Sequence, residues 1–189
     1  MSSVDANYRF IAASNEVNAR ITQRQQTLAL YVTLVLGLMA ALVGFRAGGS
    51  GEAAQTLPIQ TLALGFPIAS LSLVLLNIRS ELTLRNLRSF LAALEQLEDR
   101  HRQLPSYNTD MVWSEAANRA RRLHDYTAAM LVLASNAIAL LALARVYPAE
   151  MGWRSPVVWA IAIIALGCVA AMLSLPRLAY RPEPPAASA

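Results

Sequence analysis

The sequence contains no lysine and only a single cysteine, Cys168. One cysteine inside an apolar run provides neither a disulfide framework nor a CxxC metal site within the chain. All sixteen basic residues are arginine, a bias typical of GC-rich bacterial genomes. The arginines are interspersed with acids and the net charge is only +4, so we expect no nucleic-acid partner.

Recognisable catalytic motifs are also missing. The sequence has no GxGxxG, P-loop, GxSxG or HExxH pattern. Its two histidines, His101 and His124, have no companion ligands at the spacing that a zinc site needs. We therefore predict a protein that is not an enzyme and binds no cofactor or metal. His124 next to Asp125 is the nearest approach to an acid–base pair, and it leaves a lipid-modifying enzyme as the third alternative.

Apolar residues make up 56% of the chain, and they concentrate in four uncharged runs. Each run is long enough to cross a hydrocarbon core roughly 30 Å thick. The fold class predicted is all-α: a polytopic membrane protein with four transmembrane helices. The predicted spans cover residues 28–45, 57–76, 126–144 and 157–175.

The distribution of arginine predicts the orientation of these spans. Thirteen of the sixteen arginines lie before the first span, between the second and third, or after the fourth. Under the positive-inside rule these segments are cytoplasmic in an inner membrane. The remaining segments are predicted to be an N-terminal amphipathic helix (1–27), two outer loops (46–56 and 145–156), a cytoplasmic helical hairpin (77–125) and a disordered cytoplasmic tail (176–189).

The predicted hairpin begins with an amphipathic helix over 78–103, in which leucines recur at near-helical spacing. Asn108, Thr109 and Asp110 are candidate N-caps for the returning helix. That helix carries an apolar stripe, which we expect to pack on Leu87, Leu91 and Leu94 of the first leg. The stripe consists of Trp113, Ala116, Ala117, Ala120 and Leu123.

Charge divides the hairpin into two candidate sites. The far end is acidic on balance and is predicted to bind a cytoplasmic protein partner through Glu95, Glu98, Asp99, Arg100, His101 and Arg102. The parts next to the spans are basic, and basic residues there suit anionic lipid headgroups. The predicted contacts to membrane lipids are Arg79, Arg85, Arg88, Arg119, Arg121 and Arg122.

The spans contain no ionisable residue of the kind that transporters and membrane enzymes place in the bilayer. Their polar residues either bond between helices or, in several copies of the chain, line a narrow aqueous path. These residues are Gln60, Thr61, Ser70, Ser72 and Asn136. Pro67 is predicted to kink the second span, and the pairs Gly37/Ala41 and Gly167/Ala171 allow close helix contact.

The layout of four spans, short outer loops and a cytoplasmic hairpin resembles that of small inner-membrane immunity and phage-defence proteins. We therefore expect a non-enzymatic protein that forms homo-oligomers through its spans and contacts a partner through the hairpin. An oligomeric channel or pore-forming effector is the alternative.

Overall fold

The computed structural model describes residues 6–47, 59–97, 108–148 and 155–182. Within these residues the chain is almost entirely helical and contains no strand, as predicted. Helix α1 covers Ala6–Ala47, α2 covers Ile59–Glu95, α3 covers Met111–Val146 and α4 covers Pro156–Ser174. A short 3₁₀ turn, Leu175–Arg177, follows α4. All four α-helices are long and apolar enough to cross a membrane.

The first three helices are much longer than a membrane span because each joins an apolar run to an amphipathic one. The segment before the first run contains neither glycine nor proline, and α1 accordingly continues through both parts for 42 residues. Helix α2 continues in the same way past Pro67, which is fully buried. The kink at Pro67 stays a prediction.

The chain divides into two compact units. The first, which we call the polar unit, comprises Met1–Gln25, Asn77–Asp125 and Ser174–Ala189. The second, the apolar unit, comprises Gln26–Leu76 and Tyr126–Leu173. Helices α1, α2 and α3 contribute to both units.

All four helices contribute to the core of the apolar unit. Its central cluster consists of Leu42, Ala63, Phe66, Ala139, Leu143 and Ile161. Gly65 permits one close contact in this unit, because a Cβ added there would lie 2.9 Å from Cδ2 of Leu38. A Cβ added at Gly37 or Gly167 would meet nothing within 4 Å. The close approach predicted at those two glycines is therefore absent within the described part of the chain and occurs at Gly65.

In the polar unit, α2 ends at Glu95, before the predicted limit at residue 103. The Nδ2 group of Asn108 donates a hydrogen bond to Oε1 of Glu95 at 2.8 Å, which joins the end of α2 to the residues that precede α3. Among the three candidate N-caps, Asp110 caps α3, because its Oδ1 accepts a hydrogen bond from the backbone N–H of Val112 at 2.8 Å.

The buried face of α3 differs from the prediction. Trp113 is 45% exposed and Leu123 69% exposed, so these two members of the predicted stripe are not buried in a seam, whereas Ala117 is half-buried. The face turned inward carries polar residues instead, spaced at i, i+4, i+7 and i+11, which places them on one side of a helix. These are Ser114, Asn118, Arg121 and Asp125, all buried or half-buried. The ion pairs of Arg121 with Glu81 on α2 and of Asp125 with Arg24 on α1 explain why polarity overrides the apolar pattern.

Candidate functional site

The centre of the polar unit is a buried ion-pair network built around Arg24 of α1, which is only 6% exposed. Its guanidinium uses three nitrogens on three partners. Nε donates to Oδ1 of Asn77 at 2.8 Å, and Nη1 contacts Oε2 of Glu81 at 3.4 Å. Nη2 donates to Oδ1 of Asp125. The planar fork of arginine suits this arrangement, which the point charge of a lysine cannot reproduce.

Glu81 connects Arg24 to a second arginine. Its Oε2 accepts a hydrogen bond from Nη2 of Arg121 as well as the contact from Arg24. Asn77 and Glu81 lie one turn apart on α2, and Arg121 and Asp125 lie one turn apart on α3, so that each helix presents two members of the network on one face. The network therefore ties three helices together through charge.

A third arginine, Arg88, lies near the network and is 9% exposed. Burial lowers the pKa of its guanidinium, and the positive charge of Arg121 lowers it further, while Glu81 opposes both. Nη1 of Arg88 is buried without a hydrogen-bond partner among the described residues. Arg88 thus adds a positive charge beside Arg24 and Arg121, which are paired with Asp125 and Glu81.

The two titratable residues just before the third apolar run respond to this environment. Burial lowers the pKa of His124, and the nearby Arg24 and Arg121 charges lower it further. Burial raises the pKa of the Asp125 carboxyl, and the Arg24 guanidinium opposes that rise. The lowered pKa of His124 thus comes first from its burial and then from the arginines of the network.

A cavity of about 480 Å³ lies beside the network. It is bounded by the polar face of α3, by Glu81 of α2 and by the segment after α4, which contributes Pro176, Ala179, Arg181 and Pro182. We call it the polar cavity. The hydroxyl of Tyr180 donates to the carbonyl of Asn108 at 2.9 Å, and Nδ2 of Asn118 donates to the carbonyl of Tyr180 at 2.9 Å. These two bonds hold the segment after α4 in place as a wall.

A second concavity of about 750 Å³, which we call the groove, is lined by α1, α2, α3 and Asn108. Its apolar wall includes Phe10, Val17, Ile21, Leu91 and Trp113. Asn18, Arg88, Glu95 and Asn108 add polar groups to the same surface.

The apolar unit has a buried polar cluster of its own, and all of its members are neutral. Nδ2 of Asn136 donates to Oγ of Ser70 at 2.7 Å, and Ser70 donates to the carbonyl of Phe66 at 2.9 Å. The hydroxyl of Tyr31 lies 3.1 Å from Oγ of Ser70 and 2.5 Å from Oγ of Ser135. Ser70 and Asn136 are thus enclosed by α1, α2 and α3.

The five polar residues predicted within the spans do not share one face. Ser70 and Asn136 are buried, whereas Gln60, Thr61 and Ser72 are exposed on the surface of the chain. The hydroxyl of Ser72 bonds back to the carbonyl of Ile68 at 2.9 Å. A path lined by all five would have to combine an enclosed cluster with an outer surface.

The structure divides the six arginines predicted to meet lipid headgroups. Arg79, Arg85 and Arg119 are exposed and Arg122 is half-buried. Arg88 is buried, and Arg121 is half-buried and paired with Glu81. Of the residues predicted to bind a partner, Glu95 is half-buried beside the groove. Glu98, Asp99, Arg100, His101 and Arg102 lie outside the described residues.

Sequence reasoning missed the network itself. The sequence pattern marks Arg24 only as one of the arginines that set orientation and Asp125 only as a neighbour of His124, and it gives Asn77 and Glu81 no role. A usable signal was present, because these four residues lie within five positions of the predicted ends of the first three spans. Opposite charges that flank several apolar runs on the same predicted side are candidates for pairing.

No protein-family model, curated protein or solved structure matches this chain.

Proposed function

We propose that this chain is a non-enzymatic protein of the bacterial inner membrane, which assembles through its apolar helices and binds a partner protein through the polar unit in the cytoplasm. The specific version of the proposal is a role in phage defence or toxin immunity. The observation that carries it is the groove, an apolar concavity in a unit otherwise rich in charge. Concave apolar surfaces with a few polar groups are the usual form of binding sites.

Exposed apolar side chains elsewhere in the polar unit support the same proposal. Tyr8, Ile11, Phe90, Met111 and Val112 of the polar unit are each at least 45% exposed. In a unit predicted to face water, such residues are typical of an interaction surface rather than of a solvated one. The buried network beside them fixes the three helices that present this surface.

Neighbouring positions on α1 provide a matched test. A photoreactive amino acid at Ile21, which lines the groove, should cross-link to one specific protein in cells. The same amino acid at exposed Thr22, about 100° further round the helix, should not. Trp113→Ala should abolish the adduct at position 21. Equal adducts from positions 21 and 22, or none from either, would contradict partner binding at the groove.

Two further measurements test the membrane part of the proposal. Reporter fusions after residues 27, 104 and 185 should report cytoplasm, and fusions at 51 and 152 the outer compartment. Vesicles reconstituted with the purified protein should not leak ions. Robust leakage from wild-type vesicles would favour the pore alternative, and an outward signal at residue 104 would overturn the orientation.

A further inference from the structure

Unpartnered polar atoms are concentrated around the polar cavity. Seven side-chain nitrogen or oxygen atoms in the described residues are buried without a hydrogen-bond partner, and four of them belong to residues that line this cavity. The four atoms are Oγ of Ser114, Oδ1 of Asn118, Oε1 of Glu81 and Nη1 of Arg121. Ser114 is 0% exposed and Glu81 2% exposed. Buried polar groups are nearly always bonded, so such a concentration points to a ligand.

The unpartnered atoms fall into two chemical kinds. Three are oxygens, one of them on a carboxylate, and together they can accept hydrogen bonds from a cation that carries N–H groups. The fourth is a guanidinium N–H, which donates to an anionic oxygen. A single ligand that carries an ammonium and an anionic group satisfies both kinds.

The formal charges of the residues that line the cavity also favour a ligand with one charge of each sign. Glu81, Glu115 and Asp125 contribute three negative charges, and Arg121, Arg122 and Arg181 contribute three positive ones. The lining itself thus carries both signs of charge in equal number. It suits a ligand that is neutral overall and carries one charge of each sign.

We propose that the polar cavity binds a phosphoethanolamine group, with its ammonium on Glu81, Asn118 and Ser114 and its phosphate on Arg121, assisted by Arg122 and Arg181. A volume of about 480 Å³ lies within the range of small-molecule sites. Asp125 immediately precedes the third predicted span and Pro176 immediately follows the fourth. We therefore expect the cavity to lie near the lipid headgroups. The ligand is then a membrane phospholipid or its soluble headgroup. This site does not depend on the proposed protein partner.

Choline provides a discriminating comparison because its quaternary nitrogen has no N–H to donate. Purified full-length protein should be titrated with short-chain phosphatidylethanolamine, phosphatidylcholine and phosphatidylglycerol, and the bound lipid counted by native mass spectrometry. We expect at least tenfold tighter binding of phosphatidylethanolamine than of either other lipid. Glycerophosphoethanolamine, a soluble headgroup, distinguishes the two possible ligands. If it competes with the bound lipid, the ligand is the soluble headgroup; if it does not compete, the ligand is the intact lipid.

Ser114→Ala is the most informative variant, because Oγ of Ser114 has no partner among the described residues whose loss would disturb the fold. We expect it to reduce the preference for ethanolamine over choline about tenfold, with an unchanged unfolding temperature. Arg181→Gln should weaken the binding of phosphatidylethanolamine and of phosphatidylcholine equally, because the lost arginine contacts the phosphate that both lipids share. Ser72→Ala, at an exposed serine of the apolar unit, is the control. Equal binding of the three lipids by the wild type, or an unchanged preference in Ser114→Ala, would overturn the proposal.

Discussion

The two units bury polar side chains by different means. The polar unit encloses Arg24, Glu81 and Asp125 and joins them by ion pairs, whereas the buried polar residues described in the apolar unit, Ser70 and Asn136, are neutral. A buried charge that loses its partner is very costly, whereas a neutral hydrogen bond within apolar helices typically contributes less than about 1 kcal/mol. Geometry in the polar unit is therefore enforced by charge, and in the apolar unit mainly by packing.

Removing Arg24 should have the largest effect on this comparison. Arg24→Met leaves the Asp125 carboxylate buried without its cation and weakens the pairing of Glu81. We expect a loss of about 3–5 kcal/mol of unfolding free energy, measured by denaturant unfolding of the purified protein in detergent. Adding Asp125→Leu should recover part of the loss, because the unpaired charge is then gone. A double variant no more stable than Arg24→Met would show that the two residues are not coupled.

Packing in the apolar unit should be tested at its one close-contact glycine. Gly65→Val places atoms against the side chain of Leu38, and overpacking of this kind typically costs about 1–3 kcal/mol. Gly37→Val is the matched control, because the added atoms meet open space. Thermal unfolding should separate the two variants clearly. If both changed stability equally, the close approach at Gly65 would not exist.

Acid should weaken the polar unit through His124. Since the folded-state pKa of His124 is lowered, the unfolded chain binds the proton more readily. The folded state therefore loses stability as pH falls below the ordinary histidine pKa of about 6.5, and the loss stops below the lowered folded value. His124→Gln should show a smaller decline in unfolding temperature between pH 7 and pH 5 than the wild type. Parallel declines would contradict the role assigned to His124.

The smallest effect is expected in the neutral cluster. Asn136→Leu removes the bond to Ser70 but also removes Oδ1 of Asn136, which is buried without a partner among the described residues. The two changes oppose each other, so unfolding free energy should change by less than about 1 kcal/mol. A loss as large as that of Arg24→Met would remove the distinction between the units.

The helices and their apolar runs could be predicted from the sequence because periodicity and the absence of charge act locally. The burial of α3 could not, because it depends on partners distant in the chain. Its apolar stripe at Trp113 and Leu123 was the stronger local pattern, yet the face that carries Arg121 and Asp125 turns inward to meet Glu81 and Arg24. The polar cavity could not be predicted from the sequence either, because the sequence predicts a disordered tail where the chain after α4 forms one wall of the cavity.

The network has a consequence for the order of synthesis. Arg24 and Asp125 are 101 residues apart, so a ribosome adding about 5–20 residues per second makes the cation roughly 5–20 s before its anion. Glu81 emerges in between, and Arg121 follows it by 40 residues. During that interval Asn77 and Glu81 are the only two of its three network partners that Arg24 can meet. We therefore expect Glu81 to act as the first counter-ion of Arg24 during insertion, with Asp125 completing the network once α3 has been made.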